Sequence, residues 1–443
     1  MFIKKLSCVL IILAAGVAPF LVAAPTVTAN AGMFADRVEA SALLQPAASP
    51  PVSDPIFPIF VNPSYEYSPV IAYNSVHNEY LVVWESVLPG NVHKIYARRI
   101  ASDGRQLISF TVSSNANNQM NPSVAYDPTH DRYLVVFVYD LNGDASNWDV
   151  HGRFIPWSGP SASLLDFSIC NFSSNQGHPV TVFASTQQEF LVVWVNFQTS
   201  VASYISARRV WADGSGFPYS PFVVSSGTEN RDYPDVAYNP SRNEYLVVWD
   251  VVKTGSAVDI YGIRLSGEGT PLTGGTPSVT GEFSIAGWSA IEEKPAVAAC
   301  AQADQFLVAW QSDQSKGDYA IYARYLSGTA ALGNVYQIVD TTSDQFNADM
   351  TCGPGGRYLV VWQDEYTTGE FGVWGRLASP SESFDDEFLI CGPHQNADRE
   401  YPAVNGGSIS YLVAWEHDID GGASADIYGR LLRHTIYMPL IRR

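Results

Sequence analysis

Positive charge is scarce in this chain: 25 lysines and arginines stand against 44 aspartates and glutamates, for a formal charge of −19. Such a field repels phosphate backbones and anionic membrane surfaces unless a local basic patch overrides it, and the sequence holds no such patch. Nucleic acid is therefore not an expected partner. The acidity reads first as solubility and second as a preference for cationic partners.

Cysteine is scarce too. Of the five, Cys8 lies inside an N-terminal apolar segment, too early for a lipid-attachment site, and Cys170, Cys300, Cys352 and Cys391 match no zinc or redox spacing. Catalytic signatures are missing as well. The eight histidines are scattered, with no H-E-x-x-H run and no Ser-His-Asp pattern, so no catalytic residue is assigned.

Long apolar runs are confined to Leu6–Val22, which follows Lys4 and Lys5 and precedes Ala29-Asn30-Ala31. That order predicts a secretory signal peptide over residues 1–31, and a secreted or cell-envelope protein with no membrane span after cleavage. An uncleaved anchor is the competing reading, opposed by Pro19, Pro25 and the A-x-A site. Residues 32–54, rich in Ala, Pro and Ser, read as a linker, because they cannot bury enough apolar surface to order themselves. The tail, 435–443, is too short to span a bilayer.

What the sequence does have is repetition. An aromatic, three aliphatics and a terminal aromatic recur seven times, as Tyr80-Leu-Val-Val-Trp84, Tyr133-Leu-Val-Val-Phe137, Phe190-Leu-Val-Val-Trp194, Tyr245-Leu-Val-Val-Trp249, Phe306-Leu-Val-Ala-Trp310, Tyr358-Leu-Val-Val-Trp362 and Tyr411-Leu-Val-Ala-Trp415. A Pro-led segment precedes six of the seven cores, as in Pro234-Asp-Val-Ala-Tyr238, with Ala348 at that place in the sixth. An Ile-Tyr-Ala-Arg type segment follows, as at Ile321–Arg324, and then a short apolar strand such as Phe388–Cys391. Four strands per unit, the second apolar on both faces, predict an all-β fold: a seven-bladed β-propeller of four-stranded antiparallel blades over residues 55–434.

Closure of the ring is written in the spacing. The third residue of a fourth strand lies ten residues before the next Pro, as from Val224 to Pro234, and the same offset separates Ile59 from Pro69. Phe57–Phe60 is therefore expected to supply the fourth strand of the last blade; the competing donor is the tail from Ile436 to Arg443. An open edge would invite aggregation.

Units such as Pro234-Asp-Val-Ala-Tyr-Asn-Pro240, Glu244-Tyr-Leu-Val-Val-Trp249 and Asp259-Ile-Tyr-Gly262 resemble repeats of uncharacterised secreted bacterial β-propeller proteins. The resemblance implies a fold and an extracytoplasmic place, and brings no activity.

The repeated Arg98, Arg153, Arg208, Arg324, Arg376 and Arg430 are expected to lie over aromatics and pair with carboxylates, and the repeated Trp or Phe to fill the core. Cys170 and Cys391 share one repeat position that needs only a small buried residue. Cys300 and Cys352 end neighbouring inner strands, whose divergence argues against a disulfide. Candidate ligand-binding residues are Asp140, Asn142, Asp144 and Asp149 in the second unit and Asp418, Asp420 and Asp426 in the seventh. Closely spaced oxygens on Gly-containing turns suit Ca2+, against the reading of plain turn chemistry.

The expected function is a non-catalytic, extracytoplasmic binding or protein-interaction module using one face of the propeller, monomeric, with an extracellular protein or carbohydrate as partner. The alternatives are a carbohydrate-active enzyme, hydrolase or lyase, using carboxylates on that face, and a structural envelope protein.

Overall fold

The structure, a computed structural model, describes residues 51–433 except 144–146, 199–201, 254–256, 273–280, 289, 314–317, 329–330, 340–342, 368–369, 393–398 and 419–423. The signal peptide, most of the linker, the tail from 434, Asp144 and Asp420 lie outside the described residues. Among the described residues there is no α-helix, and none long and apolar enough to cross a membrane.

The apolar pentads form the second strand of each unit, and Trp84, Phe137, Trp194, Trp249, Trp310, Trp362 and Trp415 are all fully buried. Asx chemistry turns the first strand into the second. The Asn74 Oδ1 accepts the backbone N–H of Val76 and of His77 at 3.0 and 2.9 Å, and Asn78 closes the turn in the left-handed region. Asn239 and Asn243 repeat the arrangement.

Five antiparallel sheets have four strands each. The sixth holds nine, and is two such arrays plus a short strand. One array is Tyr65–Asn74, Glu79–Leu88, Val92–Ala101 and Gln106–Thr111. The other is Arg399–Gly406, Ser410–Asp418, Ala425–Arg433 and Phe57–Phe60, and a single parallel bridge from Ala425 to Tyr65 joins them. Phe57–Phe60 thus pairs with the third strand of the C-terminal unit. Val52–Ser53 pairs further along that strand with Arg433 and Leu432, and Asp54 forms an ion pair with Arg433 at 2.6 Å. The linker reading therefore ran too far, because backbone pairing orders residues whose composition alone does not.

Apolar clusters fill the gaps between consecutive units, and one joins Ala403, Leu412, Ala414 and Leu431 to Ile71, Tyr80 and Trp84 at the other end of the chain. Packing within a sheet is matched in size. A Cβ on Gly152, Gly262, Gly375 or Gly429 would lie 2.9, 2.8, 2.9 or 2.7 Å from the Cδ1 of Ile169, Ile285, Ile390 or Ile59. Where the fourth strand carries the smaller Val112 or Val224, the corresponding third-strand residue is Ala97 or Ala207; Ala323 with Ile338 is the exception. These radial sheets around shared cavities make a β-propeller architecture.

Two expectations are corrected here. The third-strand arginines reach across the interface to the preceding unit: Arg208 and Arg324 donate to the carbonyls of Ile169 and Ile285 at 2.7 Å, and Arg98, Arg376 and Arg430 donate likewise to Ile59, Ile338 and Ile390. Fourth-strand register shifts fall at Ile59, Ile169, Ile285 and Ile390, and the guanidinium of the next unit satisfies the carbonyl there. The carboxylate expectation holds for Arg153, with Asp166 at 2.9 Å, and Arg376, with Glu387 at 3.7 Å, and the aromatic one for Arg208 over Phe217 and Arg376 over Phe384. Second, Cys300 and Cys352 form a disulfide, with Cα atoms 5.3 Å apart. Inner strands do not diverge at this level: the Gly406 N–H donates to Thr351 Oγ1 of the neighbouring inner strand at 3.3 Å, one residue from Cys352.

Candidate functional site at the tunnel mouth

The first strands of the units line an axial tunnel of two chambers, about 340 and 380 Å3. Antiparallel pairing puts the start of each first strand at the end where second strand leads to third and fourth strand leads to the next unit. The 340 Å3 chamber opens there.

A bulge interrupts each first strand near that end, and in every unit the residue before it has positive φ: Ser68, Asn121, His178, Tyr233, Lys294, Asn347 and Tyr401, all between +44° and +51°. None is glycine. Non-glycine residues carry a steric cost in this region, and here that cost recurs at one level around a cavity. Pro69, Pro122, Pro179, Pro234, Pro295 and Pro402 follow six of them, so the scaffold is constant while the displayed side chain changes from unit to unit.

The backbone N–H of these residues is caught by the side chain that follows the repeated Trp of the preceding unit. Glu85 accepts from Asn121 at 3.0 Å, Asp250 from Lys294 at 3.3 Å, Gln311 from Asn347 at 2.9 Å, Gln363 from Tyr401 at 3.0 Å and Glu416 from Ser68 at 2.6 Å. Val138 and Val195 hold that place in the other two units.

On this frame the side chains form a mixed platform. Tyr233 and Tyr401 are 40% and 42% exposed, and the Lys294 ammonium sits 5.7 and 6.0 Å from their ring centres while donating to Asn347 Oδ1 at 2.9 Å. Lys294 pairs with no carboxylate among the described residues. His178 stacks on Tyr233 at 4.7 Å and meets Asp232 through Nδ1 at 2.6 Å. An acidic shell lies behind: burial, with Asp232 and Glu293 near, pushes Asp250 up to about 7, and burial, with Glu400 and Glu85 near, pushes Glu416 up to about 8.

Deeper in the chamber, Asp235 accepts the N–H of Val236 at 2.8 Å and of Val297 in the next unit at 2.7 Å. Asp349 does the same for Met350 and Val404, both at 2.7 Å. Burial pushes these carboxyls up to about 7 and about 6. Both are thus committed to backbone N–H groups of the inner strands.

Of the residues singled out from sequence, those that are described, Asp140, Asn142, Asp149, Asp418 and Asp426, do not line the chamber. Asp140 is buried and accepts the Gly143 N–H at 3.0 Å, which is turn chemistry. Asp426 is buried and accepts the Asn62 N–H at 3.0 Å, holding the segment that follows Phe57–Phe60. Asn142 is exposed and Asp418 half-buried. Asp149 differs: its carboxylate is buried with neither oxygen bonded to a described residue, and burial pushes it up to about 6. No group of three His, Cys, Asp or Glu side chains among the described residues is placed to hold a metal ion. The tunnel-mouth ring escaped sequence reading because its members share no residue type; the available signal was a variable residue directly before the repeated Pro.

No family model and no curated protein matches the sequence. Solved structures do resemble the fold. The polysaccharide lyase Uly1 aligns with a TM-score of 0.54 at 9% identity, over 85% of this chain and 99% of that one. A protein of unknown function from Dyadobacter fermentans DSM 18053 aligns with a TM-score of 0.50 at 10% identity, over 86% and 99%. The β-propeller domain of the Trilobed protease from Pyrococcus furiosus aligns at 0.49 and 10%, over 84% and 98%. At these identities the likeness concerns the fold alone.

Proposed function

We propose that this chain is a closed, seven-bladed β-propeller acting outside the cytoplasm as a non-catalytic binding module, with its ligand seated at the tunnel mouth. Closure is supported by the Glu416 to Ser68 hydrogen bond, which repeats between the last and first units the contact made between consecutive ones. The observation that carries the binding reading is the ring of unlike, left-handed residues around one chamber. A repeated frame that presents a different side chain from each unit to one cavity suits recognition. Exposed tyrosines beside amide, hydroxyl and ammonium groups suit an oligosaccharide, which offers apolar ring faces and hydroxyls together.

Thermal-shift measurements of the chain from Gly32 onward against a panel of neutral and acidic oligosaccharides test this, because a ligand of the folded state alone raises Tm. A shift abolished in Tyr233→Ala/Tyr401→Ala supports the mouth as the site; a shift untouched by that pair places the ligand elsewhere. Calcium belongs to the same proposal only at the 140–149 loop, where Asp149 would carry it, and a Tm lowered by chelator in wild type but not in Asp149→Asn is the expected sign.

The second reading is a carbohydrate-active enzyme, favoured by Asp235 and Asp349 facing one chamber. Glycan turnover lost in Asp235→Asn or Asp349→Asn, with the fold intact, would replace the binding reading.

A further inference from the structure

The repeat breaks in an instructive way at the outer edge of the second unit. The first residue of the second strand is Glu79, Glu189 or Glu244 in units one, three and four, each paired with an arginine on the adjacent strand: Arg99, Arg209 or Arg264. In unit two the same two positions hold Arg132 and Phe154. The charge has moved and its partner has become a phenyl ring, with the Arg132 guanidinium 4.3 Å from the ring centre.

Arg132 therefore lacks the carboxylate that its counterparts have. Its Nε and Nη2 are buried with no hydrogen-bond partner, and it forms no ion pair among the described residues. Asp127 and Asp213 act on it electrostatically without contact, and each is bonded elsewhere: Asp127 with His130 at 2.6 Å and Asp213 with the Ser215 N–H at 2.8 Å. Arg132 as a whole is half-buried, but guanidinium donors taken out of water without a partner are costly, and such groups are normally paired.

This guanidinium lines a cleft of about 350 Å3 between the second and third units, whose walls include Phe154, Leu164, Phe167, Val210 and Phe217. Leu165, at the rim, is 73% exposed. The volume falls within the range of small-molecule sites, and the walls are largely apolar with Arg132 as their one cation; of the two carboxylates that also line the cleft, Asp166 is paired with Arg153 at 2.9 Å and Asp213 is exposed to solvent.

We infer that this cleft is a second binding site, for a small carboxylate on an apolar body, such as a medium-chain fatty acid. The carboxylate pairs with Arg132 as glutamate pairs with arginine in units one, three and four, and the chain lies along the phenylalanines and leucines. Nothing in this inference depends on the tunnel mouth.

Calorimetric titration of the protein with decanoate, decanol and decylamine tests it. Decanoate is expected to bind with a Kd at least tenfold below that of decanol, and decylamine not to bind. Arg132→Gln should weaken decanoate by about tenfold or more while leaving decanol unchanged, since charge-assisted pairing is what it removes. Ser163→Trp, at an exposed lining position, should block decanoate and decanol alike and keeps the test decisive if the arginine variant misfolds. Decanoate and decanol binding equally, decanoate binding unchanged in Arg132→Gln, or no binding of decanoate at millimolar concentration would each overturn the inference.

Discussion

The Glu416 carboxylate accepts the backbone N–H of Ser68 at 2.6 Å, across 348 residues of sequence. Glutamine makes the same contact in two other units, to Asn347 and Tyr401. Glu416→Gln should therefore keep the bond and change stability little, whereas Glu416→Ala leaves a strained N–H unsatisfied and should cost about 1–3 kcal/mol. Urea unfolding of the two variants separates them.

Glu416 also belongs to a set of buried acids held above their ordinary range by burial: Glu66, Asp235, Asp250 and Glu292 up to about 7, and Glu416 up to about 8. Between the unfolded values near 4 and these folded ones, the folded chain keeps protons that the unfolded chain has lost. Stability is then fullest below pH 4.5 as far as these groups are concerned, and falls as pH rises through 6 to 8. Tm is expected to be higher at pH 5 than at pH 8, with a shallower decline in Glu416→Gln.

Gly429 faces Ile59, and a methyl group there would come within 2.7 Å of the isoleucine Cδ1. Gly429→Ala should destabilise by about 1–3 kcal/mol through overpacking. Ile59→Val in the same chain should restore much of the loss, since Ala with Val is the combination used at Ala97 and Val112. A double-mutant cycle reads the coupling.

Removing everything before Asn62 takes away Phe57–Phe60, exposes the edge of Ala425–Arg433 and leaves the Arg98 guanidinium without the Ile59 carbonyl. The truncated chain is expected to associate through that edge, which light scattering after gel filtration would detect as oligomers.

The Cys300–Cys352 bond closes a loop with a sequence separation of 52. On chain-entropy grounds it should contribute roughly 4 kcal/mol, so Cys300→Ser/Cys352→Ser and reducing agent should lower Tm alike.

Much of this fold was legible because propeller units repeat their core. Tyr80–Trp84 and its six counterparts set the strand, and the ten-residue offset at Ile59 set the pairing of Phe57–Phe60. The same method hid the candidate site. Ser68, His178, Lys294 and Tyr401 carry nothing in common at the level of residue type, and their kinship is a backbone angle that a sequence does not write down. The acidic loops drew attention because Asp, Asn and Gly are dense there, yet Asp140 and Asp426 accept backbone N–H groups, as turn and crossing residues do. Cys300 and Cys352 were judged on strand divergence, whereas the spacing of inner strands near an axis is a property of the assembled units.

Val52 and Arg433 lie opposite each other on paired strands. The order in which the chain visits its sheets is therefore separable from the arrangement it reaches. A short linker from Arg433 to Val52, with new termini opened at the exposed Gly90 turn, would give a circular permutant in which the former last unit is interior to the chain and the first unit is the one closed by a strand from afar. Such a permutant should fold to the same packing, and the place where the two ends of the chain meet becomes a choice about synthesis order and not about shape.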